Sequence, residues 1–455
     1  MQPHIFRQYD IRGIVGKDLD AGVTEAVGRA FASMVRSESG KKTPRIAVGC
    51  DNRVTSPELA AALIAGVRAA GVDVLDVGTV PTPVLYWSEA TFGTDAGVQI
   101  TGSHNPPEWN GVKMSLGRAA LYGDAIQELR TRIVKGDTDK GAGAYEKVEV
   151  LDRYVADVSQ RLPLARPMKV AVDCGNGVGA VVAVQLLEAL GVTVTPLFCD
   201  SDGSFPNHHP DPTVDKNLED LIRAVRATPH DLGVAFDGDA DRIGAVDEKG
   251  SIVRGDVLLL VYGLDLLKKH GPGQKVIFDV KCSQVLPEVF AAAGGEPIMW
   301  KTGHSLIKRK MKETGALLAG ELSGHIMVAD DYFGFDDALY DACRLISILS
   351  RSERSLGEMV ADFPVYVSTP EIRIDVSEEQ KWGIVDEAVR HFKELYDVID
   401  VDGARILFGD GWALLRASNT QPAIVARFEA KSQGRLNEIR EEIATWLGAR
   451  GVSLP

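Results

Sequence analysis

Three stretches of this chain repeat one pattern: a β-rich apolar run, a polar turn, an Ala/Leu/Val stretch with the texture of a helix, a Gly, and a second apolar run. The first begins RIAVGCDNR at Arg45, continues PELAAALIAGVRAAG from Pro57 and closes VDVLDVG from Val72. The second reads KVAVDCGNG from Lys169, VVAVQLLEALG from Val181 and VTVTPL from Val192. The third reads KVIFDVKCSQ from Lys275, VLPEVFAAAGG from Val285 and EPIMW from Glu296. Each copy predicts a strand, a loop at its carboxyl end, a helix stopped by glycine and a second strand. That is a right-handed βαβ unit with helices covering the sheet and its polar turns along one edge. Any doubly wound protein can carry such a pattern, so the repeat speaks to architecture and not to chemistry.

After about Tyr366 the texture changes. EIRIDV from Glu371 alternates like a half-exposed strand, and Glu379 to Tyr396 reads as an amphipathic helix. ARILFGD from Ala404, GWALLRAS from Gly411 and AIVARFEA from Ala423 form three further strands before a terminal helix from about Leu436. The expected division is residues 1–148, 149–252 and 253–365 as three related α/β domains with mixed sheets, and 366–455 as a smaller α+β domain. Gly136 to Gly143 is expected as an exposed loop near the first boundary. A length of 455 residues agrees with several domains rather than one core.

The formal net charge of -14 argues against partnership with nucleic acid or an anionic membrane, so an anionic ligand needs a local basic site. Five cysteines are scattered without CxxC spacing, which indicates neither a zinc site nor a disulfide scaffold. The start, MQPHIFR, lacks an apolar signal region, and the longest apolar stretch, Val257 to Leu267, is short and interrupted by Asp265. A cytoplasmic protein is expected.

Four loops carry chemistry. In TGSHNPPEWNGVKMS, starting at Thr101, an apolar strand delivers Ser103 into a turn built from Gly and Pro, where a hydroxyl can serve as nucleophile or phosphoryl carrier. His104 and Lys113 are placed to assist by proton transfer or by pairing with phosphate; in isolation, the loop equally fits an incidental surface turn. In FDGDADRIGAVDEKG, starting at Phe236, the alternating Asp237, Asp239 and Asp241 offer three hard oxygen ligands. An EF-hand is the competitor, since Glu248 falls at the twelfth position. Arg242 at the sixth position and strand-like flanks favour magnesium in a strand-turn-strand loop. In GELSGHIM, starting at Gly320, Glu321, Ser323 and His325 alternate and are expected on one side of an extended segment, suited to sugar hydroxyls. In RASNTQP, Arg416, Ser418, Asn419 and Thr420 combine a planar cation with short donors, a set suited to a dianionic phosphate.

Together with YDIRG at Tyr9, these motifs resemble, in number, order and spacing, the α-D-phosphohexomutase family, in particular its phosphomannomutase/phosphoglucomutase branch. The resemblance covers nearly the whole chain. It implies four domains arranged around a central cleft, each contributing a loop, and interconversion of hexose 1-phosphate and hexose 6-phosphate, with glucose and/or mannose as the sugar. Ser103 resembles the family's phosphoserine, Asp237, Asp239 and Asp241 (with Ser103) its Mg2+ ligands, and Arg242 the neighbour of the phosphoryl group. Arg12, Lys113, Lys281 and His304 resemble further cleft residues, and Tyr9 lies in the first motif. Glu321, Ser323 and His325 resemble the sugar loop, and Arg416, Ser418, Asn419 and Thr420 the distal phosphate clamp. The implied intermediate and activator is glucose 1,6-bisphosphate or mannose 1,6-bisphosphate. The implied partners are small-molecule sugar phosphates, with the chain a monomer or weak homodimer. A phosphoglucosamine mutase is the nearest alternative, and a serine-dependent metal phosphatase the one from another class. Departures at Glu108, Trp109, Leu322 and Gln421 bear on substrate preference rather than reaction class.

Overall fold

In a computed structural model the described residues are 2–419 and 421–455. They form two compact units: the chain up to Leu258 together with Ser323–Val360, and Leu259–Leu322 together with Ala361–Pro455.

The first unit contains two sheets. In one, Arg45–Cys50 pairs in parallel with Asp73–Thr79 and Ala96–Ile100, and Asp73–Thr79 pairs in parallel with Tyr145–Lys147. Trp109–Leu116 then runs antiparallel to Ala96–Ile100, and Ile11–Ile14 antiparallel to Trp109–Leu116. This mixed order brings the loop after Ala96–Ile100 back alongside Ile11–Ile14, which is how Arg12 and Ser103 share a neighbourhood. The helix Ser56–Ala69 connects the first βαβ pair as the repeat predicts, burying Leu59, Leu63 and Val67. Residues 136–143 are largely exposed, yet the loop is tied down: Gly141 N and Gly143 N donate to Ala69 O and Arg68 O, both at 2.9 Å. A Cβ at Gly143 would stand 1.8 Å from Val72 O, so only glycine allows the chain to pass this close.

The second sheet repeats the βαβ theme with Met168–Asp173 parallel to Val192–Leu197 and to Leu232–Phe236. It then turns antiparallel through Ile243–Asp247 and Ile252–Val253. The acidic loop therefore joins two antiparallel strands, as its flanks predict. The segment 323–360, expected with the third copy, packs in the first unit. Its helix Ala338–Ser350 is buried on every face and needs cover all round. It finds part of that cover against Leu232–Phe236, Ile243–Asp247 and the helix Leu151–Arg161.

In the second unit, Lys275–Asp279 lies between parallel Glu296–Trp300 and Leu318–Gly320. Antiparallel strands Ala404–Leu407, Gly411–Ala417 and Ala423–Ala430 carry two helices, Glu378–Lys393 and Gln433–Gly448. Ile406, Leu415, Phe428, Phe392, Ile439 and Ile443 form the core between them. The three α/β sheets and the α+β end match the expected fold class. No helix among the described residues is long and apolar enough to cross a membrane.

Candidate active site

Ser103 sits on the loop between Ala96–Ile100 and Trp109–Leu116, 3 % exposed, with its backbone at φ 49°. A left-handed serine is costly and persists only where the surroundings impose it. Arg53 imposes it. This fully buried guanidinium donates to Ser103 O (2.7 Å), Asn105 O (2.6 Å), Pro106 O (2.6 Å) and Trp109 O (3.1 Å). Asp51 holds Arg53 Nε at 3.1 Å and also accepts from Thr101 Oγ1 (2.8 Å) and Gly102 N (3.1 Å). Arg12 Nη1 donates to Gly102 O at 2.6 Å, and Asp10 engages its other edge.

The acidic loop meets this turn directly. Asp237, Asp239 and Asp241 are all fully buried, and their carboxylates offer oxygens within 4.8 Å of one another. Ser103 Oγ donates to Asp237 Oδ2 at 3.2 Å and lies 3.1 Å from His104 Nδ1. Gly238 makes the approach possible, since a Cβ there would fall 2.3 Å from Ser103 O. Ala240, at φ 59°, is a second left-handed residue in the same turn. Asp237 Oδ1 accepts from the backbone N of Asp241 and Arg242, both at 3.1 Å. Lys113 Nζ donates to Asp239 (2.7 Å) and Asp241 (2.5 Å), and Thr82 Oγ1 to Asp239 (2.6 Å).

Charge is unevenly balanced here. Burial alone would lower the Lys113 pKa, but Asp239 and Asp241 outweigh it and raise it well above its usual value. Burial, then Asp241 and Asp239, pushes the Asp237 carboxyl well above the usual range. Asp241 is held below that range because Lys113 and other cations override its burial. Burial, with Arg242 and Arg12 close by, lowers His104 well below the usual imidazole value. Asp239 Oδ1 and Asp241 Oδ1 are buried without a hydrogen-bond partner among the described residues. Orphaned carboxylate oxygens beside a third carboxylate, all hard donors, fit a divalent cation.

Arg242 Nε donates to His325 Nε2 at 2.9 Å, so the ring proton belongs on Nδ1, which lies 3.1 Å from both Asp241 O and Asp336 Oδ2. The expectation of an extended segment through Glu321, Ser323 and His325 fails. Residues 321–325 form a turn with Gly324 at φ 90°. His325 belongs to the acidic loop's surroundings, whereas Glu321 Oε1 accepts from Gly303 N at 2.7 Å. Gly-Glu-Leu-Ser-Gly has turn-forming ends, and period-two alternation does not survive a left-handed glycine. Ser323 is half-buried in that turn, as is Tyr9 just ahead of Ile11–Ile14.

In the second unit, Lys281 Nζ donates to Glu371 (2.7 Å), and Glu371, Asp279 and Glu321 together raise its pKa against the pull of burial. His304 opens the helix His304–Thr314. Arg416 Nε donates to Asp402 Oδ2 (3.0 Å), which also accepts from Thr302 N (3.0 Å). Asp402 thus ties the Arg416 strand to the loop bearing His304. Ser418 N pairs with Ala423 O at 2.9 Å, and buried Lys381 donates to Ser418 O (2.6 Å) and Gln421 O (3.1 Å). Asn419 lies half-buried in this turn, and Thr420 lies outside the described residues. Arg53, Asp51, Thr82, Lys381 and Asp402 escaped the sequence reading. For Arg53 a signal existed: the DNR turn ends the first repeat's opening strand, on the edge where polar turns gather.

Comparison with known proteins gives four consecutive matches. The phosphoglucomutase/phosphomannomutase alpha/beta/alpha domains I, II and III match residues 3–140, 152–250 and 254–366, and the C-terminal domain matches 371–445. The phosphomannomutase/phosphoglucomutase of Pseudomonas aeruginosa is 48% identical over 454 residues, 99% of this chain and 97% of that protein. The phosphoglucomutase of Neisseria meningitidis serogroup A is 46% identical over 444 residues, covering 96% and 95%. A crystal structure of a phosphoglucomutase/phosphomannomutase family protein from Burkholderia thailandensis covers 100% of both chains, with a TM-score of 0.94 and 44% identity.

Proposed function

The chain belongs to the phosphoglucomutase/phosphomannomutase family, and we propose from that premise how its own residues carry a phosphoryl group between C1 and C6 of a hexose. It is a phosphohexomutase. Ser103 is the carrier, and the observation that supports this is its buried hydroxyl hydrogen-bonded to Asp237 of the acidic triad. Asp237, Asp239, Asp241 and Ser103 would hold Mg2+, which would supply neutralisation of phosphoryl charge and Lewis-acid stabilisation of the serine oxygen.

Starting from phosphorylated Ser103, the free hydroxyl of a hexose monophosphate attacks phosphorus. The P–O bond to Ser103 breaks, the proton given up by the attacking hydroxyl ends on the serine oxygen, and the products are the hexose 1,6-bisphosphate and the serine hydroxyl. In the second half the other phosphoryl group returns to Ser103. Arg12, Lys113 and Arg242 supply positive charge around the transferring group, and His104 Nδ1, 3.1 Å from Ser103 Oγ, takes and returns the serine proton. Lys281, His304, Glu321 and Ser323 bind the sugar phosphate with Tyr9, His325 holds Arg242 in place, and Arg416, Ser418, Asn419 and Thr420 hold the phosphate that is not reacting. Glucose and mannose phosphates are the proposed substrates, the corresponding 1,6-bisphosphate the activator, and the cytoplasm the location. The four matches, 3–140, 152–250, 254–366 and 371–445, support a domain division at 1–148, 149–252, 253–365 and 366–455.

The test is conversion of glucose, mannose and glucosamine 1-phosphates with Mg2+ and catalytic hexose 1,6-bisphosphate, with inorganic phosphate measured in parallel. Isomerisation of the glucose and mannose esters far ahead of phosphate release is expected. Phosphate release at a comparable rate would make the chain a phosphatase, and preference for the amino sugar would reassign the substrate.

A further inference from the structure

We propose that Cys174 and Cys199 are a reversible redox pair, joined as a disulfide by a hydroperoxide, and that the disulfide slows turnover by displacing the turn that supports the acidic loop. The two Sγ atoms lie 3.2 Å apart. They follow the adjacent parallel strands Met168–Asp173 and Val192–Leu197, whose pairing continues past the strand ends through Cys174 N to Leu197 O (3.2 Å) and Asn176 N to Phe198 O (2.8 Å). Phe198, at φ 50°, is a left-handed residue that reverses the chain so that the next side chain, Cys199, comes back over Cys174. Neighbouring strands about 4.8 Å apart fall in the separation a disulfide spans, and bonding requires the sulfurs to close by roughly 1.2 Å. Cys50 and Cys282 are engaged otherwise, with Thr79 and Asp279.

The pair is asymmetric. Cys174 is wholly buried, whereas Cys199 is half-buried and within reach of a small oxidant. Cys199, the more exposed sulfur, is the one that attacks; its Sγ also lies 3.3 Å from Leu197 O, and the hydrogen bond between the two sulfurs holds Cys199 below the usual thiol range and, together with burial, pushes Cys174 well above it. The chemistry has two steps. Cys199 sulfur attacks the peroxide, the O–O bond breaks, and sulfenic acid and an alcohol form. Cys174 sulfur then displaces water from the sulfenic acid, forming the S–S bond. Two thiols lose two electrons and two protons, and the peroxide takes them up as alcohol and water. A dithiol reverses the reaction.

The consequence for catalysis follows from what comes after Cys174. Gly177 N donates to Cys174 O (2.8 Å) and Val178 N to Gly238 O (3.0 Å), so the turn that begins at Cys174 ends on the acidic loop. A Cβ at Gly177 would lie 2.9 Å from Gly238 O, so there is no slack between them. Drawing Cys174 toward Cys199 pulls on this contact, and displacements of this order at a positioning element cost rate.

The experiment treats the full-length protein with hydrogen peroxide and reads both disulfide and turnover. Trypsin leaves the two cysteines in one peptide, Val170 to Lys216, and cleavage after Glu188 separates them. The expected result is two fragments held together until reduced, with Cys50, Cys282 and Cys343 still open to alkylation after denaturation. Turnover falls several-fold and returns on adding dithiothreitol, and Cys199→Ser retains activity before and after peroxide. The turnover readout rests on the mutase reading, whereas the mass readout does not. Absence of the linked fragments would overturn the proposal. So would a linked pair with unchanged turnover, or an equal loss in Cys199→Ser.

Discussion

The turn around Ser103 and the turn after Arg416 are both short polar connections between antiparallel strands, and both follow a run of buried apolar residues. They differ in how they are held. The Ser103 turn keeps a left-handed serine because one buried guanidinium gathers four carbonyls and the neighbouring acidic loop closes against it. Around the Arg416 turn, Lys381 donates to two carbonyls and Arg416 pairs with Asp402. Strain and dense compensation suit a group that must meet phosphorus at one distance, while a clamp for a spectator phosphate needs charge and short donors. The first should therefore fail steeply when altered and the second gradually.

The steepest failure is expected for Ser103→Ala. Without the oxygen there is no carrier, and turnover falls by more than roughly a thousandfold. Unfolding free energy should change by only about 1 kcal/mol, the net worth of one hydrogen bond, as read by denaturant titration.

Gly238→Ala comes next. The added Cβ must displace Ser103 O, 2.3 Å away. A shift of the two loops by a fraction of an ångström should cost about a hundredfold in kcat, with about 1–3 kcal/mol of stability lost to overpacking. A variant with ordinary kcat would mean that the closeness of the loops is not used.

Asp402→Asn tests the other side. It weakens the hold on Arg416 and the tie to Thr302, so KM should rise by up to about tenfold with kcat within about twofold. A fall in kcat with KM unchanged would place Arg416 in the chemical step and dissolve the contrast.

The smallest effect concerns His208. Burial acts to lower its pKa, but Asp173, 3.0 Å from Nε2, outweighs it and raises the value above that of ordinary imidazole. Because the folded value is the higher one, this stabilisation is fully present below about 6.5 and is lost as pH rises through the folded value. The Tm difference between the parent and His208→Gln should therefore narrow as pH rises from about 6.5. A difference that widens instead would reverse the sign.

The same contrast explains what was legible in the sequence. The βαβ repeats could be read because apolar runs and glycine stops are local signals, and the strand-turn-strand setting of the acids because short apolar runs flank them on both sides. Ser103, the three aspartates and Arg416 stood out as clusters of residue types within a few positions. Arg53 and Lys381 did not, since a cation in a polar turn or on a helix looks solvated until the fold closes carbonyls around it. Asp402 and Thr82 act through partners 14 and 157 positions away, which spacing does not report. The GELSGH motif misled because alternation was read where a left-handed glycine makes a turn.

The central claim is that Ser103 carries the phosphoryl group. Incubating the protein with glucose 1,6-bisphosphate and Mg2+, then mapping phosphate by fragment mass spectrometry before and after a chase with glucose 1-phosphate, tests it most directly. One phosphate on Ser103, removed by the chase as bisphosphate appears, is the predicted result; phosphate on another residue, or a fully active protein carrying none, would contradict it.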